Sequence, residues 1–120
     1  MDFNSNKPIY RQIIDFCFNL ILTGQWKPGE RIPSVRELSV ELAVNSRTVM
    51  NAFESLEADN IIYSRRGLGF FLSGDAFSLV AEARRKEFFE TTVAGMFHDM
   101  KLLNISIDDV VEEYRRLNSR

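Results

Sequence analysis

Residues 32–56 run I-P-S-V-R-E-L-S-V-E-L-A-V-N-S-R-T-V-M-N-A-F-E-S-L and read as two short helices with a tight turn between them. Ser34 follows Pro33 and precedes Glu37 by three residues, the spacing of a capping box at a helix start. Val35, Leu38 and Leu42 then recur at helical steps. A second start falls at Asn45 or Ser46, either of which can cap an exposed N-terminus. Val49, Ala52, Phe53 and Leu56 make one apolar face of that second helix. Its other face carries Arg47, Thr48, Asn51 and the less polar Met50. A short polar-faced helix held against a buried neighbour is the helix-turn-helix arrangement, whose second helix enters the major groove of DNA. Two amphipathic helices in a turn also occur in many all-α proteins, so the flanks must decide.

Downstream, 58–60 (A-D-N) ends the helical pattern, with Asn60 suited to a left-handed C-terminal stop. Residues 61–64 (I-I-Y-S) read as a strand, 65–69 (R-R-G-L-G) as a hairpin tip, and 70–72 (F-F-L) as the return strand. The two glycines let the backbone turn sharply and approach another surface closely. Arg65 and Arg66 put positive charge at the tip, as a wing over a sugar-phosphate backbone requires. The plain alternative is a surface hairpin with solvated arginines. Upstream, 27–30 (K-P-G-E) has the Pro-Gly order of a type II turn. Residues 30–33 can then add a very short third strand to the hairpin. Trp26 is placed to close the edge of the core.

Before that turn, a helix is expected from Pro8 to about Thr23, with Gly24 as its stop. It is apolar on nearly every side, so it must be buried on more than one face. Cys17 lies within it and reads as core packing, because a reactive thiol needs a polar or basic neighbourhood. Residues 1–7 are polar and read as a frayed start.

These elements together resemble the winged helix-turn-helix of the GntR family of bacterial transcription regulators. The resemblance covers residues 8–73. It rests on Pro28-Gly29, Pro33-Ser34-x-Arg36-x-Leu38, Thr48-Val49, Leu56-Glu57 and Gly67-x-Gly69, in that order. It implies a mainly α fold with a small β-hairpin wing and a contact from Arg36 to phosphate or base. Thr48-Val49 matches the family's recognition-helix step, and Gly67 and Gly69 match its wing glycines. One departure stands out: the head of the recognition helix is Asn45-Ser46-Arg47, with the arginine one place later than usual, and Met50-Asn51 stands where many members have a further arginine. Operator sequence therefore cannot be carried over from relatives. By side-chain chemistry, Arg47 is expected to read a guanine edge or grip a phosphate, and Asn51 to reach an adenine. Ser34, Ser46 and Thr48 would donate hydroxyls to phosphates beside the N–H groups of the helix starts. Arg65 and Arg66 would hold the backbone or the minor groove.

Residues 75–120 form a second region. Apolar residues recur at three- and four-residue steps from Phe77 to Leu103, and Gly95 lies mid-pattern as a close approach or a bend. Asn104-Ile105 breaks the pattern. Ser106 opens a last helix with acidic residues in its first turn, Arg115 and Arg116 in its last, and an apolar face of Ile107, Val110, Val111, Tyr114 and Leu117. Two helices with this many Phe and Met cannot bury them alone. The expected organisation is therefore a DNA-binding domain at 1–74 and a two-helix dimerisation tail at 75–120. The resemblance agrees, since a short two-helix tail characterises the YtrA branch of the family, where it joins subunits.

Charge and composition narrow the function. The net charge of −2 is unhelpful to DNA binding, but it is uneven. Residues 1–73 hold eight Lys/Arg against eight Asp/Glu, and residues 74–120 seven against nine. Clustering on one face, not the total, is what phosphates respond to. No apolar run is long enough to span a bilayer and no secretory leader is seen, so a cytoplasmic location is expected. The single Cys17 cannot form an internal disulfide. The single His98 lacks converging metal ligands, no nucleophile-base pair is visible, and Gly67-x-Gly69 lacks the Lys-Ser/Thr of a phosphate loop. No enzyme, metal or cofactor is expected. Two readings remain: a homodimeric, sequence-specific regulator on an inverted-repeat operator in double-stranded DNA, which the family resemblance implies is a repressor; or a winged-helix protein-interaction module without DNA binding. A small-molecule effector, if one acts, is expected at the apolar seam between the first helix and the tail.

Overall fold

Pro8 lacks an N–H, so it costs nothing at a helix head, and helix α1 follows it as Ile9–Leu22. Every residue from 12 to 22 except Asn19 is buried or half-buried, as an all-round apolar helix demands. The buried Gln12 is satisfied by donating from Nε2 to the Lys7 carbonyl at 2.9 Å. The computed structural model describes residues 7–119, and these fall into two compact units, one running to Glu82 and one starting at Ala83. The expected frayed start therefore lies, for residues 1–6, outside the described residues.

In the first unit, helix α2 is Val35–Leu42 and helix α3 is Ser46–Ala58. Both halves of the capping box at α2 are present: the Glu37 N–H donates to Ser34 Oγ at 3.0 Å, and the Ser34 N–H donates to Glu37 Oε1 at 3.1 Å. Of the two candidate caps for α3, Asn45 serves, accepting from the Arg47 N–H at 2.8 Å. The turn between the helices rests on Ala43 in the left-handed region, φ 55°. There the Val44 N–H reaches back to the Ser39 carbonyl at 3.0 Å. The core joins Ile13, Cys17 and Ile21 of α1 to Leu38, Leu42, Val49, Phe53 and Leu56, all buried.

Strands β1 (Ile62–Arg65) and β2 (Gly69–Leu72) pair antiparallel, with Tyr63 opposite Phe71 and Arg65 opposite Gly69. Ile62 and Leu72 are buried, while Phe70 meets Phe53 edge-on at 5.1 Å. The 27–30 turn forms as its Pro-Gly order predicts: the Glu30 N–H donates to the Lys27 carbonyl and Gly29 has φ 80°. The chain after it adds a single bridge, Arg31 to Phe71, flanked by backbone hydrogen bonds from Ile32 to Phe70 and from Leu72 to Glu30. The expected third strand is thus one bridge long. Helix α4 (Ala76–Glu87) begins in this unit, with Ala76 and Val80 buried in the same core.

The helical path continues as a π-helical segment, Phe88–Val93, then α5 (Ala94–Leu103), and after a break α6 (Ile107–Leu117). The irregularity expected near Gly95 sits one turn earlier. Thr91, Thr92 and Val93 are consecutive β-branched residues, which crowd an α-helical turn, and a π turn gives them room. Asn104 ends α5 at φ 55°. Ser106 and Asp109 form a second capping box at the head of α6. None of residues 83–119 is buried.

Candidate nucleic-acid interface

Three parts of the first unit carry the residues singled out in the sequence. The first is the head of α2. Ser34 is half-buried and engaged as its cap, and Arg36 is exposed in the first turn. The second is α3, whose buried face is Val49, Ala52, Phe53 and Leu56. The opposite face shows Ser46, Arg47 and Asn51 exposed, with Thr48 half-buried beside them. Arg47 and Asn51 are one helical turn apart and so lie over one another on the surface. Glu54 follows on the same face and puts a negative charge beyond Asn51. Asn45 has a double position: it is exposed at the head of α3, and its Oδ1 is committed to the cap.

The third part is the wing. The Leu68 N–H closes the tip onto the Arg65 carbonyl at 2.9 Å, with Gly67 at φ 76°. Arg66 and Gly67 are exposed at that tip. On the outer face of the hairpin Tyr63 and Phe71 stack at 5.8 Å with 21° between the rings. The Arg65 guanidinium lies over both rings, 5.7 Å from one centroid and 5.3 Å from the other. Two ring faces beneath one cation restrict where that cation can point. Arg36, Arg47, Arg65 and Arg66 are in no ion pair among the described residues. Their charge is therefore available to an outside anion.

Two hydrogen bonds fix the wing against the helices. Ser64 donates to Glu57 Oε2 at 3.1 Å, tying β1 to the later turns of α3. Arg31 donates from Nε to the Leu68 carbonyl and from Nη2 to Glu37 Oε1, both at 3.2 Å. One guanidinium thus joins the wing tip to the head of α2. Glu37 is held below its ordinary pKa by the Ser34 backbone N–H first, then by the Ser34 side chain and Arg31. Sequence reasoning passed over Arg31. Its partners are six and thirty-seven residues away, and no local spacing announces the longer contact.

Cys17 is fully buried, and burial pushes its thiol up to about 12, far from a thiolate at neutral pH. His98 is exposed on α5. Among the described residues no three His, Cys, Asp or Glu converge as metal ligands, and no helix is long and apolar enough to cross a membrane.

Comparison with known proteins bears on this geometry. Residues 9–72 match the family described as bacterial regulatory proteins, gntR family. The chain is 40% identical over 84 residues to the HTH-type transcriptional repressor YtrA of Bacillus subtilis, an alignment spanning 70% of this chain and 65% of that one. A GntR family transcriptional regulator from Listeria monocytogenes superposes with a TM-score of 0.81 at 31% identity, over 95% of this chain and 98% of its own. The DNA-binding domain of AraR, solved in complex with operator ORR3, matches with a TM-score of 0.55 at 26% identity, over 61% of this chain and 88% of its own.

Proposed function

The chain belongs to the gntR family of bacterial regulatory proteins, in its YtrA-like branch, and from that premise we propose that it is a homodimeric repressor bound to an inverted-repeat operator. Transcription regulation by DNA binding is the work of this family's helix-turn-helix. The observation that carries the reading here is the exposed face of α3, where Arg47 and Asn51 stand one turn apart and Arg47 is in no ion pair among the described residues, while the opposite face is core. An arginine and an asparagine are the side chains that bind guanine and adenine edges through two hydrogen bonds each. In this reading residues 1–74 hold the DNA. Ser34, Arg36, Ser46 and Thr48 meet phosphates around the helix heads, and Asn45 sets the start of α3. Arg65, Arg66, Gly67 and Gly69 bring the wing to the backbone or minor groove. Residues 75–120 join two copies, and the protein works in the cytoplasm, where its DNA is.

The dimer is supported by the exposure of the tail. Phe97, Ile107, Tyr114 and Leu117 are all half or more exposed, and an open apolar groove of about 610 Å³ is lined by Ile105, Val110, Tyr114 and Leu117. A second copy offers the same apolar surface and covers it by two-fold symmetry. Two copies then read two half-sites about one helical turn apart.

The experiment is selection from random duplex DNA, followed by titration of the winning sequence against salt. An enriched inverted repeat with a steep salt slope is expected. A single enriched half-site would remove the dimer from the proposal. No enrichment at all would turn the winged helix into a protein-interaction module.

A further inference from the structure

An exposed arginine beside a DNA-binding wing is ordinarily taken for a phosphate contact. The surroundings of Arg31 argue otherwise. Its guanidinium uses two different nitrogens on two different elements: Nε on the Leu68 carbonyl at the wing tip and Nη2 on Glu37 at the head of α2. The side chain lies across Gly69, where a Cβ would come within 3.2 Å of Nε. Gly69 also has φ 107°, a conformation that side chains rarely allow. The missing side chain at Gly69 is thus the seat of the Arg31 guanidinium as well as a turn requirement. Glu37 is itself fixed by the capping box, so the far end of the bridge does not swing.

From this geometry we infer that Arg31 is a positioning residue: it fixes the wing tip relative to the head of α2, so that Arg66 and Arg36 meet DNA in a set relation. The inference rests on the DNA-binding reading above. Lysine cannot replace this arginine, because a single ammonium on a flexible stem does not supply two separated donors in one plane. The ion pair itself is exposed at both ends, and pairs of that kind contribute little to global stability. Removing it should free the tip without unfolding the domain.

The test uses the full chain as Arg31→Ala and Arg31→Lys, with amide hydrogen exchange on the free protein and salt-dependent binding to the inverted repeat enriched from random duplex DNA. The expected result is faster exchange of the Leu68 amide in both variants. The Ile32 and Leu72 amides, whose hydrogen bonds are to backbone carbonyls, stay protected as internal controls. Operator affinity falls several-fold in both variants, and the slope of log K against log salt is unchanged. Three results together would overturn the inference: a normal Leu68 amide, near-normal affinity in Arg31→Lys, and a slope smaller by about 0.9 in Arg31→Ala, the mark of one lost phosphate contact. If the unaltered protein enriches no operator, the DNA-binding reading fails by itself. The exchange measurement then still decides whether Arg31 holds the wing.

Discussion

Ala43 sits at φ 55° between α2 and α3, where most sequences would place glycine or asparagine. Left-handed backbone costs an L-residue on the order of 1–2 kcal/mol, and nothing in the pattern V-E-L-A-V-N announces it. The turn holds because Val44 and Ala43 both donate back to carbonyls of α2. Ala43→Gly relieves that strain but frees the unfolded chain, so a net gain of about 0.5–1 kcal/mol is expected. Chemical denaturation would show it as a raised midpoint with the slope unchanged. Unchanged or reduced stability would mean that the alanine methyl contributes packing that outweighs the strain. At Arg47 the question is recognition instead. If it reads a guanine edge, Arg47→Ala should weaken operator binding by about 1–3 kcal/mol and relax preference at one base pair. Equal loss on every sequence, with a smaller salt slope, would make it a phosphate contact.

Elements whose signals are local were legible in the sequence, and those set by distant partners were not. The capping box of Ser34 with Glu37 and the Ser106 cap follow from nearby residues and are present; that Asp109 closes a second box at Ser106 is added by the structure. The hairpin tip followed from Arg65-Arg66-Gly67-Leu68-Gly69 because positive φ at two nearby places needs glycine. The π-helical segment did not, since apolar spacing hardly changes when one turn widens. The aromatic pair beneath Arg65 needed the strand register, and the Arg31 bridge needed the tertiary fold. The first capping box also carries a pH dependence. Its Glu37 pKa is lowered on folding, so its contribution is complete above the ordinary value of 4.5 and lost as pH falls through the folded value. Glu37→Gln keeps an acceptor for the Ser34 N–H and removes only the charge. The variant should therefore be less stable than the original at neutral pH, with the gap closing in acid. A gap that stays constant across that range would show that the charge contributes nothing.

For the whole molecule, the two units pose opposite problems of burial. The first encloses Phe53, Ile13, Leu38 and Leu56 at essentially zero exposure, which a single winged helix achieves with its own residues. The second leaves Tyr114 67% and Leu117 57% exposed, although both lie on the apolar face of a well-capped amphipathic helix. An apolar face of this kind on a helix is a site for another surface. Because these side chains are mostly exposed in one chain, charging them removes little packing within it. Tyr114→Glu with Leu117→Glu should therefore leave helix content and the stability of the first unit unchanged, while sedimentation is expected to show a monomer in place of the proposed dimer. DNA binding should follow. Two linked winged helices bind the second half-site at an effective concentration set by the linkage, and losing it lowers affinity by roughly 10²–10⁴-fold. The surviving interaction should be with a single half-site, at the affinity that half-site shows alone. A variant that remains dimeric would place the subunit contact elsewhere, and the apolar face of α6 would then belong to a different partner.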